Sequence, residues 1–274
     1  MTVPTLKLLH GADIPVIGLG TWPLDDTETA TAVRTAIQLG YRLFDTAENY
    51  GNERGVGQGI RDSGVARDEV FITTKFNKRW HSVDGARQAW QASIERLGVD
   101  YIDLLLIHWP NPDQNRYVDA FRGLLALLRD GSVRAVGTSN FKPAHLQRVL
   151  DETGDAPDVN QIQLSPYTTR DESRAFAAQH GIVTESWSPI KAGDLLAEPV
   201  ITSLAEHYGK TPAQVVLRWH LQLGLVTVPK SANPERMAQN IDIFDFSLDE
   251  QAMGDISALD KGEAAARDSD AFGH

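Results

Sequence analysis

The strongest constraint on this chain is an alternation. Eight short apolar runs, Val16–Gly20, Tyr41–Phe44, Val70–Thr74, Ile102–Ile107, Val133–Thr138, Val159–Gln163, Ile182–Glu185 and Leu225–Val228, are separated by longer amphipathic runs. The short runs are rich in Val, Ile and Leu, and Ile102–Ile107 is almost continuous, as expected of strands buried on both faces. The runs between them carry apolar residues at steps of three and four. Ala86, Ala89, Trp90, Ile94 and Leu97 share one face of 84–97, and Tyr117, Phe121, Leu124, Leu125 and Leu128 share one face of 117–128. Thr211-Pro212-Ala213-Gln214 supplies a capping threonine, a first-turn proline and a glutamine three residues after the cap. Ser247-Leu248-Asp249-Glu250 repeats that pattern. Thr5–Leu9 and Ile14–Val16 flank His10-Gly11-Ala12-Asp13 and predict a small hairpin ahead of the main fold.

Eight strand–helix alternations without a break in composition predict one α/β domain over 1–274. The expected form is a closed (β/α)8 TIM barrel with an N-terminal β-hairpin and extra helices near the C-terminus. The longest gap, before the last strand, holds two helical runs, 198–207 and 212–223. The rival is an open doubly wound sheet. Against it, no Gly-x-Gly-x-x-Gly follows the first strand, and the glycine-rich stretch Gly51–Gly59 does not directly follow a strand. The polar tail, 261–274, is expected to be loosely held.

Composition narrows the function. A net charge of −11 argues against non-specific binding to nucleic acid or an anionic membrane. The absence of cysteine removes disulfides, a thiol nucleophile and cysteine-ligated zinc, and no metal site is expected. No apolar run approaches the ~20 residues of a membrane span, and Met1–His10 has no signal-peptide pattern. A cytoplasmic, monomeric protein is the expectation.

In such a barrel the working residues follow the strands. The positions are Thr21 and Trp22, Asp45, Lys75, His108 and Trp109, Ser139 and Asn140, Gln161, Trp187 and Ser188, and Lys230 and Ser231. Lys75 ends a buried strand, which is costly unless the charge is paired. Asp45 ends the neighbouring strand and can pair with it. One reading is a structural ion pair at the barrel top. The other adds Tyr50, five residues past Asp45. An ammonium ion favours a nearby phenolate, so the Tyr50 pKa is expected to fall from ~10 towards neutrality. Such a phenol can give a proton to a carbonyl oxygen. His108 is either a satisfied core residue or a group that orients the same oxygen.

Asp45, Tyr50, Lys75 and His108 together resemble the Asp–Tyr–Lys–His tetrad of the aldo-keto reductases. The surrounding residues are similar too: Gly18-Leu19-Gly20-Thr21-Trp22, Phe44-Asp45-Thr46-Ala47-Glu48-Asn49-Tyr50-Gly51-Asn52-Glu53, Asp103-Leu104-Leu105-Leu106-Ile107-His108-Trp109-Pro110, Gly137-Thr138-Ser139-Asn140-Phe141 and Val228-Pro229-Lys230-Ser231. The resemblance runs from about Leu6 to Leu259 and points to the short bacterial members typified by 2,5-diketo-D-gluconate reductase. It implies NADPH across the barrel mouth, with Tyr50 as proton donor to a small aldehyde, α-keto compound or diketone. Ser139, Asn140 and Gln161 then hold the nicotinamide carboxamide, and Trp187 stacks beneath the ring. Lys230, Ser231 and Arg236 grip the 2′-phosphate, with Gln239 and Asn240 on the adenine. Lysine as a point charge and arginine as a planar fork suit that phosphate, and the first amides after Asn233-Pro234 are expected to add to the field. Gly20, Thr21, Trp22, Asp45 and Ser188 complete the expected cofactor contacts. Trp22, Tyr50, Trp80, His108 and Trp109 are expected to face the substrate. The short loop 190–196 disfavours large steroids. Two other readings stand beside this one: an aldolase-like Schiff-base enzyme using Lys75, and an NADPH-binding regulatory module with weak turnover.

Overall fold

The computed structural model describes residues 3–190 and 194–274. Strands β1 (Thr5–Lys7) and β2 (Asp13–Pro15) form the expected antiparallel hairpin, with Leu6 opposite Ile14. Leu8, Ala12 and Ile14 pack into a buried cluster with Leu43, Leu104, Ala135, Val159 and Val226, which stops the lower end of the barrel. His10 fastens the plug. Its backbone N–H donates to Asp158 at 2.8 Å and its Nδ1 lies 3.0 Å from the same carboxylate.

The barrel strands are β3 (Leu19–Gly20), β4 (Leu43–Asp45), β5 (Phe71–Phe76), β6 (Ile102–Ile107), β7 (Val133–Ser139), β8 (Val159–Gln163), β9 (Val183–Trp187) and β10 (Val226–Val228), each parallel to the next. The first is shorter than the expected Val16–Gly20, because its earlier residues turn to β10 and close the ring. Ile17 bridges Thr227, the Gly18 N–H reaches Thr227 O at 2.9 Å, and Gly20 bridges Lys230. Glycine is needed for this approach: a Cβ on Gly18 would meet Leu43 Cγ at 2.4 Å, and one on Gly20 would meet Val228 O at 2.8 Å.

Helices α1 (Asp26–Gln38), α2 (Glu53–Ser63), α3 (Val83–Leu97), α4 (Tyr117–Arg129), α5 (Pro143–Thr153) and α6 (Asp171–Gln179) join successive strands. α7 (Pro199–Tyr208) and α8 (Pro212–Gln222) both lie between β9 and β10, and α9 (Pro234–Ile241) and α10 (Glu250–Ser257) follow. Thr211 caps α8 with the expected box. The cap of α10 is Asp249, whose carboxylate accepts from Ala252 N–H at 2.8 Å; Ser247 lies two residues too early to reach it. The glycines of α2 let helices meet closely. A Cβ on Gly55 would lie 2.3 Å from Asp26 O, and one on Gly57 1.7 Å from Leu97 O. None of the described helices is long and apolar enough to cross a membrane.

The tail departs from the expectation of a loose end. Lys142 Nζ binds Asp268 at 2.6 Å and Asp270 at 2.5 Å, and His145 lies 2.9 Å from Asp270. Phe272 meets Trp109 edge-on at 4.8 Å between ring centres, and His274 O accepts from Lys78 N–H at 3.1 Å. Exposed ion pairs contribute little each, ~0–1 kcal/mol. The aromatic contact over the barrel mouth is the stronger anchor, and the tail's polar composition hid it.

Candidate active site

Strand register brings the ionisable groups together. Asp45 pairs with Thr73 across β4 and β5, so Lys75 stands one pleat higher on the same inner face. Lys75 is fully buried, and its Nζ donates to Asp45 Oδ1 and Oδ2, both at 2.8 Å, and to Thr46 O at 2.9 Å. The Tyr50 hydroxyl is a further hydrogen-bond partner of the same ammonium. Burial pulls the Lys75 pKa down, but Asp45 and its neighbours more than offset this and hold it above the ordinary value.

Tyr50 closes a 3-10 turn, Glu48–Tyr50, directly above the pair. Its ring centre is 5.1 Å from Lys75 Nζ and 5.8 Å from the His108 ring, which it meets edge-on. The expected fall in the Tyr50 pKa is not found. Burial pushes the phenol up, and Lys75 only partly counters it while Asp45 and Glu185 push the same way as burial. Burial is the largest effect: it strips away the water that would solvate a phenolate, and Lys75 recovers only part of that loss. His108 follows β6, is buried, and is held well below the usual imidazole range by burial, then by Lys75 and His274. It is a neutral ring, with one N–H to donate.

A second chain of bonds runs across β7, β8 and β9, where Ser139, Gln161 and Glu185 stand in one register. Ser139 Oγ donates to Gln161 O at 3.0 Å, and Asn140 Nδ2 donates to Ser139 Oγ at 3.0 Å and His108 O at 3.1 Å. Trp187 Nε1 donates to Asn140 Oδ1 at 2.9 Å, which fixes the indole at the end of β9. Asn140 and Ser188 both adopt left-handed backbone, with φ of 64° and 53°, and so end their strands sharply at the mouth. Gln161 Nε2 donates to Asp45 Oδ1 at 2.7 Å and Glu185 Oε2 at 3.1 Å. The amide hydrogens of Asn140 and Gln161 are thus spent within the protein, and what these side chains can offer a ligand is their carbonyl oxygens.

The remaining expected residues are more scattered. Gly20 closes the barrel, and the fully buried Thr21 hydroxyl donates to Asp45 O at 2.9 Å, so its side chain braces the site from behind. Trp22 is 52% exposed at the rim. Trp80 Nε1 is taken by Glu48 at 2.9 Å, leaving only its ring for a substrate. Trp109 is buried beneath Phe272 and His274 rather than open to the mouth. Lys230 and Arg236 are exposed, and neither has an ion pair among the described residues; Ser231 beside them is buried and bonds to the Asn233 backbone. Asn233 caps α9 by accepting from Arg236 N–H at 3.0 Å. Pro234 has no N–H, so fewer amides are free there than expected. Gln239 is exposed and Asn240 buried. The loop 190–196 includes residues 191–193, which lie outside the described set.

Sequence reasoning missed Glu185, Glu48, Phe272 and His274. Glu185 was visible in principle, since an acid inside an apolar strand carries the same signal as Lys75. Among the described residues no cluster of His, Cys, Asp or Glu is arranged to hold a metal ion.

This geometry has close relatives. A sequence model of the Aldo/keto reductase family matches residues 16–261. An aldo-keto reductase of Mycolicibacterium smegmatis is 47% identical over 98% of both chains. Methylglyoxal reductase DkgA of Escherichia coli O157:H7 is 45% identical over the full length of both. The crystal structure of a Gox0644 mutant in complex with NADPH superposes with a TM-score of 0.93 at 41% identity, covering 98% of each chain. On the match of the family model and the identity of these relatives, the chain belongs to the aldo/keto reductase family.

Proposed function

We propose that this protein reduces small aldehydes and α-dicarbonyl compounds, methylglyoxal among them, to alcohols with NADPH, and that Tyr50 is the proton donor. The observation that carries the reading is the stack of Tyr50 over a fully hydrogen-bonded Lys75–Asp45 pair, with a neutral His108 facing the same space. The mouth suits the cofactor. Lys230 and Arg236 offer exposed positive charge, with no ion pair among the described residues, in a chain of net charge −11, and Asn140 and Gln161 offer carbonyl acceptors for a carboxamide. Trp187, its N–H pinned by Asn140, offers a flat face for a nicotinamide ring. NADPH, when bound, supplies the hydride for the carbonyl carbon. His108 donates an N–H to the carbonyl oxygen and orients it. Tyr50 then passes its proton to that oxygen, and Lys75, held by Asp45, stabilises the phenolate that remains.

The phenol reaches this step with a raised pKa, so the transfer is driven by the basicity that the carbonyl oxygen gains as the carbon accepts hydride. A Schiff base on Lys75 is disfavoured, because the amine is charged and has no free lone pair. The methylglyoxal activity named for the 45% identical relative supports a small substrate, as does the tail, which brings Phe272 and His274 over Trp109. The test is NADPH oxidation with methylglyoxal by the wild type and by Tyr50→Phe. Loss of one general acid lowers the rate by about 10²–10⁴, while NADPH still quenches tryptophan fluorescence. A variant that keeps most of its rate would remove Tyr50 from the mechanism.

A further inference from the structure

The buried centre contains one more acid than the reaction just described uses. Glu185 sits midway along β9, on the inner face that it shares with Val183 and Trp187. It has no solvent exposure. Its Oε2 accepts from Gln161 Nε2 at 3.1 Å, and the same amide nitrogen donates to Asp45 Oδ1 at 2.7 Å. One NH2 group therefore links two carboxyls. Among the described residues, Glu185 Oε1 is buried with no hydrogen-bond partner. The titratable groups that face Glu185 are Asp45 from β4, Lys75 from β5 and Tyr50 from the turn above. β8 and β10, on either side of it, carry no titratable residue. α6, which packs against β9, carries Asp171, Glu172 and Arg174, and none of the three acts on Glu185.

Counting charge in this volume decides the state of Glu185. Lys75 supplies one positive charge, and both oxygens of Asp45 already engage it. An ionised Glu185 would be a second negative charge, with one shared amide as its only donor among the described residues. A protonated Glu185 leaves one cation against one anion, and Oε1 is free to carry the proton.

We propose that Glu185 is a positioning residue of the reduction site, kept as a neutral carboxylic acid, which aligns Asp45 through Gln161 and spares Tyr50 a second nearby negative charge. Burial, and after it Asp45, pushes the Glu185 carboxyl up to about 8, against the opposing pull of the Gln161 hydrogen bond and of Lys75. Above that pH the added charge makes Tyr50 a weaker acid, so the alkaline limb of carbonyl reduction reports Glu185 and not Tyr50 alone. The proposal rests on the reductase reading and adds to it a group that touches neither substrate nor cofactor.

The experiment has two arms. In the first, kcat for reduction at saturating NADPH and methylglyoxal is followed against pH for the wild type, Glu185→Gln and Glu185→Asp. Whatever the maximum rates, the alkaline limb is expected near pH 8 in the wild type, in line with the raised carboxyl. It moves up by about one pH unit or more in the glutamine variant, which cannot ionise, and persists in the aspartate variant. An unmoved limb in Glu185→Gln overturns the proposal. The second arm needs no turnover. Difference infrared spectroscopy of the NADPH-bound wild type is expected to show the carbonyl stretch of a protonated buried carboxyl at neutral pH, lost as pH rises and absent from Glu185→Gln. No such band at neutral pH overturns the proposal even if reduction is normal. A protein with the band but no carbonyl reduction keeps the protonation of Glu185 and refutes the reductase reading instead.

Discussion

The same carboxyl predicts an unusual dependence of stability on pH. An unfolded glutamate releases its proton near 4.5, whereas buried Glu185 holds it to about 8. Between those values the folded state binds one more proton than the unfolded state, so this group's contribution is complete below pH 4.5 and falls as pH rises towards 8. Each pH unit inside the window removes about 1.4 kcal/mol. From about pH 5 to about pH 7.5 the wild type loses about 3 kcal/mol through Glu185 alone. Glu185→Gln keeps the shape and the acceptor for Gln161 and removes the titration. Urea unfolding of both proteins at the two pH values is the assay. The stability difference between variant and wild type is expected to shift in favour of the variant by about 3 kcal/mol as pH rises. A difference that stays constant across the window would mean that Glu185 ionises normally in the folded barrel, and the charge-counting argument would be wrong.

Two further outcomes follow from the same geometry. Lys75→Met leaves Asp45 buried with its charge uncompensated, and is expected to lower stability by about 3–5 kcal/mol in chemical unfolding and to abolish reduction. Lys230→Ala with Arg236→Ala removes two exposed cations beside Ser231. It is expected to weaken NADPH binding by about tenfold or more while changing NADH binding little, and to flatten the salt dependence of the NADPH affinity; equal effects on the two nucleotides in a titration would dismiss the phosphate role.

Most of the barrel was legible because its signals are local and periodic. Ile102–Ile107 was read with both ends correct, since a strand buried on both faces has no other way to be written. Asp45 and Lys75 were legible for a related reason: a charge at the end of an apolar run needs a partner, and the neighbouring run supplied one. Glu185 is hidden because the sequence predicts a strand over Ile182–Glu185 that ends at the acid. The strand runs on to Trp187 and places Glu185 in its middle, on the inner face. The direction of the Tyr50 shift is not legible in the sequence because it is set first by how deeply the phenol is buried, which spacing does not encode. The tail was misjudged because composition measures polarity and not complementarity. Its acids meet Lys142 and His145, and its Phe272 meets Trp109, all distant in sequence.

The stopper made by the N-terminal hairpin has a consequence for solvent. Leu8, Ala12 and Ile14 are wedged into the lower end and His10 is fastened to Asp158, so apolar packing closes that end against water. Water or hydrogen ions that reach the inner Asp45, Lys75 and Glu185 arrive by the entrance the reactants use. With NADPH held across that entrance, as proposed above, isotope exchange at these inner groups is expected to slow sharply.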